Sequence, residues 1–372
     1  MHAPNADAPL ARRSSAILDG WRGIAAQTVC VGHGLGYLAE GRWTTLSLLP
    51  DIAVFVFFCL SGFVITYSCI VKSARGGYGL PEYLLDRFSR IFIVFVPAVL
   101  FAFAVAPAIG SYYSKGLAKP AIDLFASLAM LLPQPFNAIA IPVPFTDIYV
   151  PGWTVMVEWW IYVVFGLLFL AKRTGAVWAL SLLFAGFVPA MYLVHPNFNG
   201  MTAMWIGGAA AFFAFSMLRR QPLPARGADV LIAALVALAA LRVHWVGIQG
   251  AGLIFALTFC ALLALGLARS ERHPRAQELS PVLRLLQFAG RYSYSLYMVH
   301  FTLVQILRTN PELANALGGK RSLALLAAYV IAANLLALAF YFAFERRTPE
   351  FRRWLAGKLA GVRVFETGLL RR

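Results

Sequence analysis

Charged residues and cysteine are scarce in this chain of 372 residues. Only 13% of its residues are charged, against about 25% in ordinary soluble domains. The four cysteines, Cys30, Cys59, Cys69 and Cys260, form no Cys-x-x-Cys pair, and we interpret them as small buried hydrophobic residues. These absences argue against an ordinary soluble domain, a disulfide framework and a cysteine-based metal site.

The chain also lacks the short motifs that mark many soluble enzymes. It contains no Gly-x-Ser-x-Gly nucleophile elbow, no phosphate-binding loop and no His-Glu-x-x-His zinc motif. It has no basic stripe with interleaved aromatic residues and no zinc-finger spacing, so the net charge of +16 does not indicate nucleic acid binding. We therefore expect neither a metal nor a nucleic acid partner.

Long apolar runs are what the chain has in abundance. Hydrophobic residues make up 60% of the sequence, and the mean hydropathy is +0.72. They fall into blocks of about 17–25 residues, the length of helix that crosses a bilayer. We therefore predict an all-α fold, a polytopic transmembrane helix bundle of about ten spans. The predicted spans are 17–38, 50–71, 91–109, 153–171, 176–195, 200–218, 228–246, 249–268, 291–309 and 322–344.

The basic residues set the predicted orientation. With ten spans and a cytoplasmic N-terminus, 24 Lys and Arg residues fall on the inner side, 7 on the outer side and Arg22 within a span, which accounts for all 32. An excess of Lys and Arg on one side of the membrane is typical of cytoplasmic loops. A further span at 121–133 would move every later loop to the opposite side of the membrane and place the basic loops outside. This segment is also only 13 residues long and bracketed by prolines, which suits a re-entrant or interfacial piece. Both termini are therefore predicted to be cytoplasmic.

We predict one transmembrane domain, residues 1–346, followed by a basic cytoplasmic tail, residues 347–372. Trp354 and Phe351 favour an interfacial helix in this tail. Residues 110–152 form a long outer segment rich in proline and aromatic residues, which we expect to fold back over the helices. The first apolar block has no clear cleavage site and further spans follow it, so we do not expect a removed signal peptide.

The first predicted span carries three ionisable residues, Asp19, Arg22 and His33. Such residues are costly at membrane depth and are usually functional. Arg22 and His33 are about three helical turns apart, so both lie on one helix face at a separation of about 16–17 Å. Asp19 lies three residues before Arg22 and can pair with it. In the structural alternative, Asp19 and Arg22 anchor the helix at the interface and His33 is a hydrogen-bonded core residue.

Five short motifs follow one another along the chain. They are Leu18-Asp19-Gly20-Trp21-Arg22-Gly23-Ile24-Ala25-Ala26 with His33, Phe57-Phe58-Cys59-Leu60-Ser61-Gly62-Phe63-Val64-Ile65-Thr66, Arg87-Phe88-Ser89-Arg90, Trp153-Thr154-Val155-Met156-Val157-Glu158, and Ser293-Tyr294-Ser295-Leu296-Tyr297-Met298-Val299-His300. In residue type, spacing and order they resemble the membrane-bound acyltransferase-3 family, whose hallmark is an Arg, ten residues and a His. The ending Phe344-Glu345-Arg346 is also similar, so the resemblance covers nearly the whole chain.

The resemblance implies an enzyme of the bacterial inner membrane that moves an acyl group, in the first place acetyl, to a hydroxyl. The implied donor is acetyl-CoA or another acyl-CoA. Members of the family modify surface polysaccharides, O-antigen, Nod factors and some macrolides. The implied acceptor is therefore a glycan or a lipid-linked glycan, met among membrane lipids.

Acyl transfer to an alcohol needs a group that takes up the alcohol proton, and histidine suits this task. His33 is the candidate general base, or a transient acyl carrier. The resemblance implies that Glu158 orients the imidazole or the acceptor hydroxyl, and we expect both side chains to line one outward-opening cavity. Arg87 and Arg90, three residues apart, can converge on one anion and are assigned to the phosphates of the donor. In the structural alternative, the two arginines only mark the cytoplasmic end of the span. Arg22 would hold a donor phosphate or stabilise charge on the thioester.

Five further residues from the motifs are candidates for substrate binding. Ser61 has a structural alternative, because Ser61-Gly62 can serve close helix packing. Tyr297 and His300 are expected to form a pore-facing, hydrogen-bonded pair. The full set is Asp19, Ser61, Trp153, Tyr297 and His300.

Two positions depart from the pattern of the family. Many members carry an Asp six residues before the serine of the second span, where this chain has Phe55, although Asp51 lies a turn earlier. Many also carry a second acidic residue after the glutamate, where this chain has Trp159. These differences concern the geometry of the acceptor site and leave the reaction class unchanged.

Three alternatives remain open from the residues. The first is the same chemistry on a small-molecule or lipid acceptor such as a macrolide. The second is a transporter or flippase for lipid-linked sugars, in which the buried Arg and His would line a substrate path. Such carriers often show internal repeats, and none is seen between the two halves of this sequence. The third is a scaffold without catalytic activity.

Overall fold

Helices make up the secondary structure wherever the structure describes the chain. This computed structural model describes residues 9–38, 49–106, 120–130, 151–170, 178, 200–221, 252–272, 278–316 and 323–369, and short pieces between 227 and 241. No β-strand occurs within these residues, which agrees with the all-α prediction. The helices are α1 (Arg12–Leu38), α2 (Leu49–Ala74), α3 (Leu80–Val105), α4 (Pro120–Leu128), α5 (Gly152–Leu170), α6 (Met201–Arg220), α7 (Gly252–Arg272), α8 (Pro281–Arg291), α9 (Ser293–Thr309), α10 (Pro311–Ala316), α11 (Leu323–Ala343) and α12 (Thr348–Leu369), with a 3₁₀ turn at Glu345–Arg347 before the last.

Six helical stretches in the described part of the chain are long and apolar enough to cross a membrane. They lie in α2, α3, α5, α6, α7 and the run Leu323–Leu359, and they overlap six predicted spans. Helices α1 and α9 overlap the predicted spans 17–38 and 291–309. The predicted span 176–195, except for one residue, and much of 228–246 lie outside the described residues. The helices are those of a multi-pass membrane protein, while the number of spans and the side of each terminus stay predictions.

The segment that the sequence excluded as a span forms the short helix α4. Its nine residues extend about 13–14 Å at 1.5 Å per residue, which is less than half of the roughly 30 Å hydrocarbon core. The helix is followed by a turn in which Met130 takes a left-handed conformation with φ 57°. A crossing by α4 is therefore ruled out by its length. The rest of the predicted outer segment lies largely outside the described residues.

The predicted span 291–309 begins with a helix break. Ser280 caps the N-terminus of helix α8: its hydroxyl accepts a hydrogen bond from the Leu283 amide, and Pro281 occupies the first helical position. Helix α8 ends at Arg291, the following Tyr292 has φ −106° and ψ 12°, and α9 begins at Ser293. The predicted start at residue 291 lies within two residues of the start of α9, and the separate helix α8 was not predicted.

The chain divides into two compact units that interleave in sequence. The first comprises residues 1–77, 189–293 and 312–330, and it contains α1, α2, α6, α7 and α8. The second comprises residues 78–188, 294–311 and 331–372, and it contains α3, α4, α5, nearly all of α9, and α12.

In the first unit, helices meet through glycines. A Cβ atom added to Gly62 of α2 would collide with the carbonyl oxygen of Trp205 in α6, and one added to Gly208 would collide with that of Cys59. Backbone therefore lies against backbone at this crossing, as at close helix contacts in membranes. The interpretation of Ser61-Gly62 as a packing motif is confirmed for Gly62, and Gly208 makes the matching contact from α6.

In the second unit, helices meet through polar side chains as well as close packing. The Tyr83 hydroxyl of α3 donates to the carbonyl oxygen of Tyr162 in α5 at 3.1 Å. A Cβ atom added to Gly166 would lie 2.7 Å from the Tyr83 ring, so only glycine leaves room for it. Helix α12 is tied to α3 by an ion pair between Arg352 and Asp86.

Candidate functional site

Helix α8 holds the first half of α1, where Asp19 and Arg22 lie. A Cβ atom added to Gly23 would lie 2.7 Å from the Gly290 amide nitrogen of α8, so the two backbones touch at this crossing. Gln287 of α8 donates to the Asp19 carboxylate at 3.3 Å. Asp19 and Arg22 are both partly buried. The contact with Gln287 was not foreseen, because the two residues are far apart in sequence.

His33 lies between two close helix contacts. A Cβ atom added to Gly32 would lie 2.6 Å from the ring of Pro50 at the start of α2, and one added to Gly34 would lie 2.8 Å from the ring of Tyr329 in α11. Both neighbours of the histidine must therefore be glycine or force these helices apart. The imidazole is partly buried and keeps part of its surface accessible.

Polar contacts also line the stretch of α1 between Arg22 and His33. The Tyr329 hydroxyl donates to the carbonyl oxygen of Cys30 at 3.3 Å. Gln27 donates from its side-chain amide to the Tyr292 hydroxyl at 3.3 Å. Gln27 and Tyr329 were not among the predicted site residues, although a glutamine within a predicted span was a usable signal.

Ser61 of α2 is partly buried and its hydroxyl accepts a hydrogen bond from the Trp205 indole at 3.2 Å. This contact belongs to the same α2–α6 crossing as Gly62. The predicted role of Ser61 in substrate binding stays a prediction.

Glu158 and Trp153 lie on α5 in the second unit, and both are partly buried. The Tyr162 hydroxyl, one helical turn further on, donates to Oε1 of Glu158 at 2.5 Å. No described residue donates to Oε2 of Glu158. His33 and Glu158 belong to different units, so the predicted shared cavity stays a prediction.

Arg87 of α3 lies against two tyrosine rings. Its guanidinium carbon is 5.7 Å from the ring centre of Tyr83 and 6.0 Å from that of Tyr162, within the range of a cation–π contact. Its Nε is buried without a hydrogen-bond partner in the described part of the chain. A buried donor without an acceptor is costly. The residue therefore fits an anion, and a phosphate oxygen would supply the missing acceptor.

Arg90, one turn along α3, has different surroundings. It forms an ion pair with Glu345 at 3.1 Å and lies over the Tyr294 ring at 5.9 Å. The buried Glu345 also accepts hydrogen bonds from the amide and the hydroxyl of Ser295, at 3.0 and 2.7 Å. The charge of Arg90 is thus already met by a carboxylate. Whether Arg87 and Arg90 converge on one anion stays a prediction.

Tyr297 and His300 lie on α9 and are buried. The Tyr297 hydroxyl lies 2.5 Å from the Thr154 hydroxyl of α5, and Nδ1 of His300 lies 3.0 Å from the Leu296 carbonyl oxygen. The centres of the two rings are 5.9 Å apart. The Tyr297 hydroxyl and Nδ1 of His300 therefore both have polar partners within the second unit. Their predicted roles in substrate binding stay predictions.

The two departures from the family pattern are packing residues. Phe55 is buried, and a Cβ atom added to Gly252 of α7 would lie 2.8 Å from its ring. Trp159 meets the edge of Phe92 in α3 at 5.2 Å, and Phe92 stacks on Phe88 at 4.2 Å. Asp51 is exposed at the start of α2.

Among the residues that the structure describes, no cluster of three or more His, Cys, Asp or Glu side chains is placed to hold a metal ion. The expectation that the protein needs no metal stays a prediction.

The whole set of candidate residues falls within one family match. A family model described as an acyltransferase domain matches residues 15–344 of the 372-residue chain. The matched stretch contains α1 with Arg22 and His33, α3 with its two arginines, and α5 with Glu158. No curated protein and no solved structure matches the chain.

Proposed function

Because the chain belongs to the acyltransferase-3 family of membrane acyltransferases, we propose that it moves an acetyl group from acetyl-CoA to a hydroxyl of a cell-surface or exported glycan. One observation carries the proposal. The family match from residue 15 to residue 344 contains the Arg22–His33 pair on one continuous helix, with the imidazole still partly accessible.

The proposed reaction needs no further reactant, because His33 can carry the proton from the alcohol to the departing sulfur. The alcohol oxygen attacks the thioester carbonyl carbon, a C–O bond forms and the C–S bond breaks. His33 takes up the alcohol proton and returns it to the departing sulfur, so the products are an ester and free CoA. Glu158 orients the reacting hydroxyl or the imidazole.

The donor end of the proposal rests on Arg87. Its buried Nε lacks an acceptor, and its planar guanidinium suits a phosphate. Arg90 is paired with Glu345, so a donor phosphate would have to compete with that ion pair to bind it. Arg22 would stabilise charge on the thioester or hold a donor phosphate. The predicted Arg22–His33 separation of about 16–17 Å is compatible with an extended pantetheine arm.

The proposed location is the bacterial inner membrane. The donor would come from the cytoplasm, and the acceptor would lie on the outer side or in the bilayer as a lipid-linked sugar. The excess of basic residues in the predicted cytoplasmic segments supports this orientation.

The test uses the full chain reconstituted in lipid vesicles. Radiolabelled acetyl-CoA is supplied with a lipid-linked glycan extracted from a strain that lacks the gene. We expect label in the glycan fraction and release of free CoA in equal amount. Movement of glycan across the vesicle membrane without transfer of label would favour a flippase instead. Transfer of label only to a small-molecule acceptor would keep the chemistry and change the acceptor class.

A further inference from the structure

One tyrosine of the second unit contacts both an arginine and a carboxylate. The Tyr162 hydroxyl donates to Oε1 of Glu158 at 2.5 Å, and the Arg87 guanidinium lies 6.0 Å from the centre of the same ring. The hydroxyl and the ring face of a tyrosine are separate groups, so the two contacts can be removed separately by substitution. Arg87 and Glu158 lie in the motifs of the sequence, whereas Tyr162 lies outside them and was not a predicted site residue.

The position of Tyr162 is determined by α3. Tyr83, which is fully buried, donates its hydroxyl to the Tyr162 carbonyl oxygen at 3.1 Å. Its ring lies against Gly166, where a Cβ atom would come within 2.7 Å, and it also lies under Arg87 at 5.7 Å. Helix α5 is thus fixed against α3 at this level, and Tyr162 is itself buried. A ring confined in this way presents its hydroxyl and its face in constant directions.

We propose that Tyr162 is a positioning residue that orients the Glu158 carboxylate through its hydroxyl and the Arg87 guanidinium through its ring. The inference rests on the proposed function, in which Arg87 binds the acyl-CoA donor and Glu158 serves the transfer step. The hydroxyl then governs the rate of transfer, because it fixes the carboxylate. The ring governs donor binding, because it supports the guanidinium that meets the phosphates.

Two substitutions separate these contributions. Tyr162→Phe keeps the ring and removes the hydroxyl, so kcat should fall on the order of tenfold while the KM for acetyl-CoA stays unchanged. Tyr162→Leu removes both, so kcat should fall by a similar factor and the KM for acetyl-CoA should also rise severalfold. A uniform loss of folded protein would lower the apparent kcat of both variants and would not produce this split.

The matched control is Tyr78→Phe in the same unit. Tyr78 also donates its hydroxyl to a carboxylate, that of Asp86 at 2.9 Å, and the proposed reaction gives neither residue a role. This variant should keep both kcat and KM. Elution of each variant as one sharp peak in detergent checks folding independently of activity.

The outcomes separate the inference from the function on which it rests. A wild-type protein that transfers no acetyl group refutes the proposed function. If the wild type is active, unchanged kcat in Tyr162→Phe, or a raised donor KM in that variant, overturns the role of Tyr162. Direct binding of free CoA to the wild type and to Tyr162→Leu tests the ring contribution without turnover, and equal affinities would overturn it.

Discussion

In the first unit, close glycine contacts flank His33, whereas in the second unit side-chain contacts hold Arg90 and Glu158. His33 lies between Gly32 and Gly34, each of which lies against a neighbouring helix. Arg90 and Glu158 are instead held by an ion pair with Glu345 and a hydrogen bond from Tyr162. The position of His33 should therefore depend on packing that only glycine permits. The positions of Arg90 and Glu158 should depend on particular polar atoms.

The largest effect is expected for His33→Ala. Loss of the general base should lower kcat at least about 100-fold, without a loss of folded protein. The measurement is acetyl transfer in vesicles at saturating donor, together with the mass of surface glycans in a complemented deletion strain. His273→Ala is the matched control, because the sequence gives that histidine no role. Full activity of His33→Ala would remove the imidazole from the mechanism.

Gly290→Ala should come next, as a loss of stability. The added Cβ would collide with the Asp19 carbonyl, and overpacking of this kind costs about 1–3 kcal/mol. Gly266→Ala in α7 is its control, because among the described residues beyond its own helix backbone no atom lies within 4 Å of the added Cβ, and it should stabilise the helix by about 0.5–1 kcal/mol. Thermal unfolding in detergent measures both. Equal midpoints for the two variants would show that the close α1–α8 contact is not needed.

Arg87→Ala should raise the KM for acetyl-CoA about tenfold, which corresponds to about 1.4 kcal/mol. Arg90→Ala is the informative comparison, because it leaves the buried Glu345 without its counter-ion. Arg90→Ala should lower the midpoint of thermal unfolding, and it should raise the KM for acetyl-CoA less than Arg87→Ala does. Steady-state kinetics with varied donor, read beside unfolding midpoints, distinguishes the two. A larger rise in donor KM for Arg90→Ala than for Arg87→Ala would reverse the assignment.

The smallest effect is expected for Ser61→Ala. It removes the hydroxyl that accepts from the Trp205 indole, and a hydrogen bond of this kind contributes about 1 kcal/mol. The α2–α6 crossing should persist, because its backbone contacts at Gly62 and Gly208 are unchanged. Thermal unfolding gives the loss of stability. A loss above about 3 kcal/mol would show that the first unit depends on side-chain hydrogen bonds as much as the second.

Local features of the fold could be predicted because they depend on neighbouring residues. Apolar blocks predicted helices, and the length of 121–133 excluded a span there. The contact between Glu158 and Tyr162 was within reach too, since residues four apart on a helix are neighbours. The span predicted from residue 291 begins within two residues of α9, whereas the separate helix α8 before it was not predicted.

The partners of the candidate residues could not be predicted from spacing. Gln287 contacts Asp19 although 268 positions separate them, and Glu345 reaches Ser295 across 50. The sequence motif that contains Glu345 was identified, but the contacts of Glu345 with Arg90 and Ser295 were not predicted. Such pairs form only when helices distant in sequence pack side by side.

By itself, the sequence determined that the chain is helical and apolar enough for membranes, and it placed Arg22 and His33 on one helix face. These properties follow from hydrophobicity and helical period, which operate over a few residues. Only the tertiary structure decided which glycines lie against a neighbouring backbone, that Arg90 is neutralised by Glu345, and that Tyr162 meets both Arg87 and Glu158. Those contacts depend on the angle and depth at which helices cross, and these are set by packing of the whole unit.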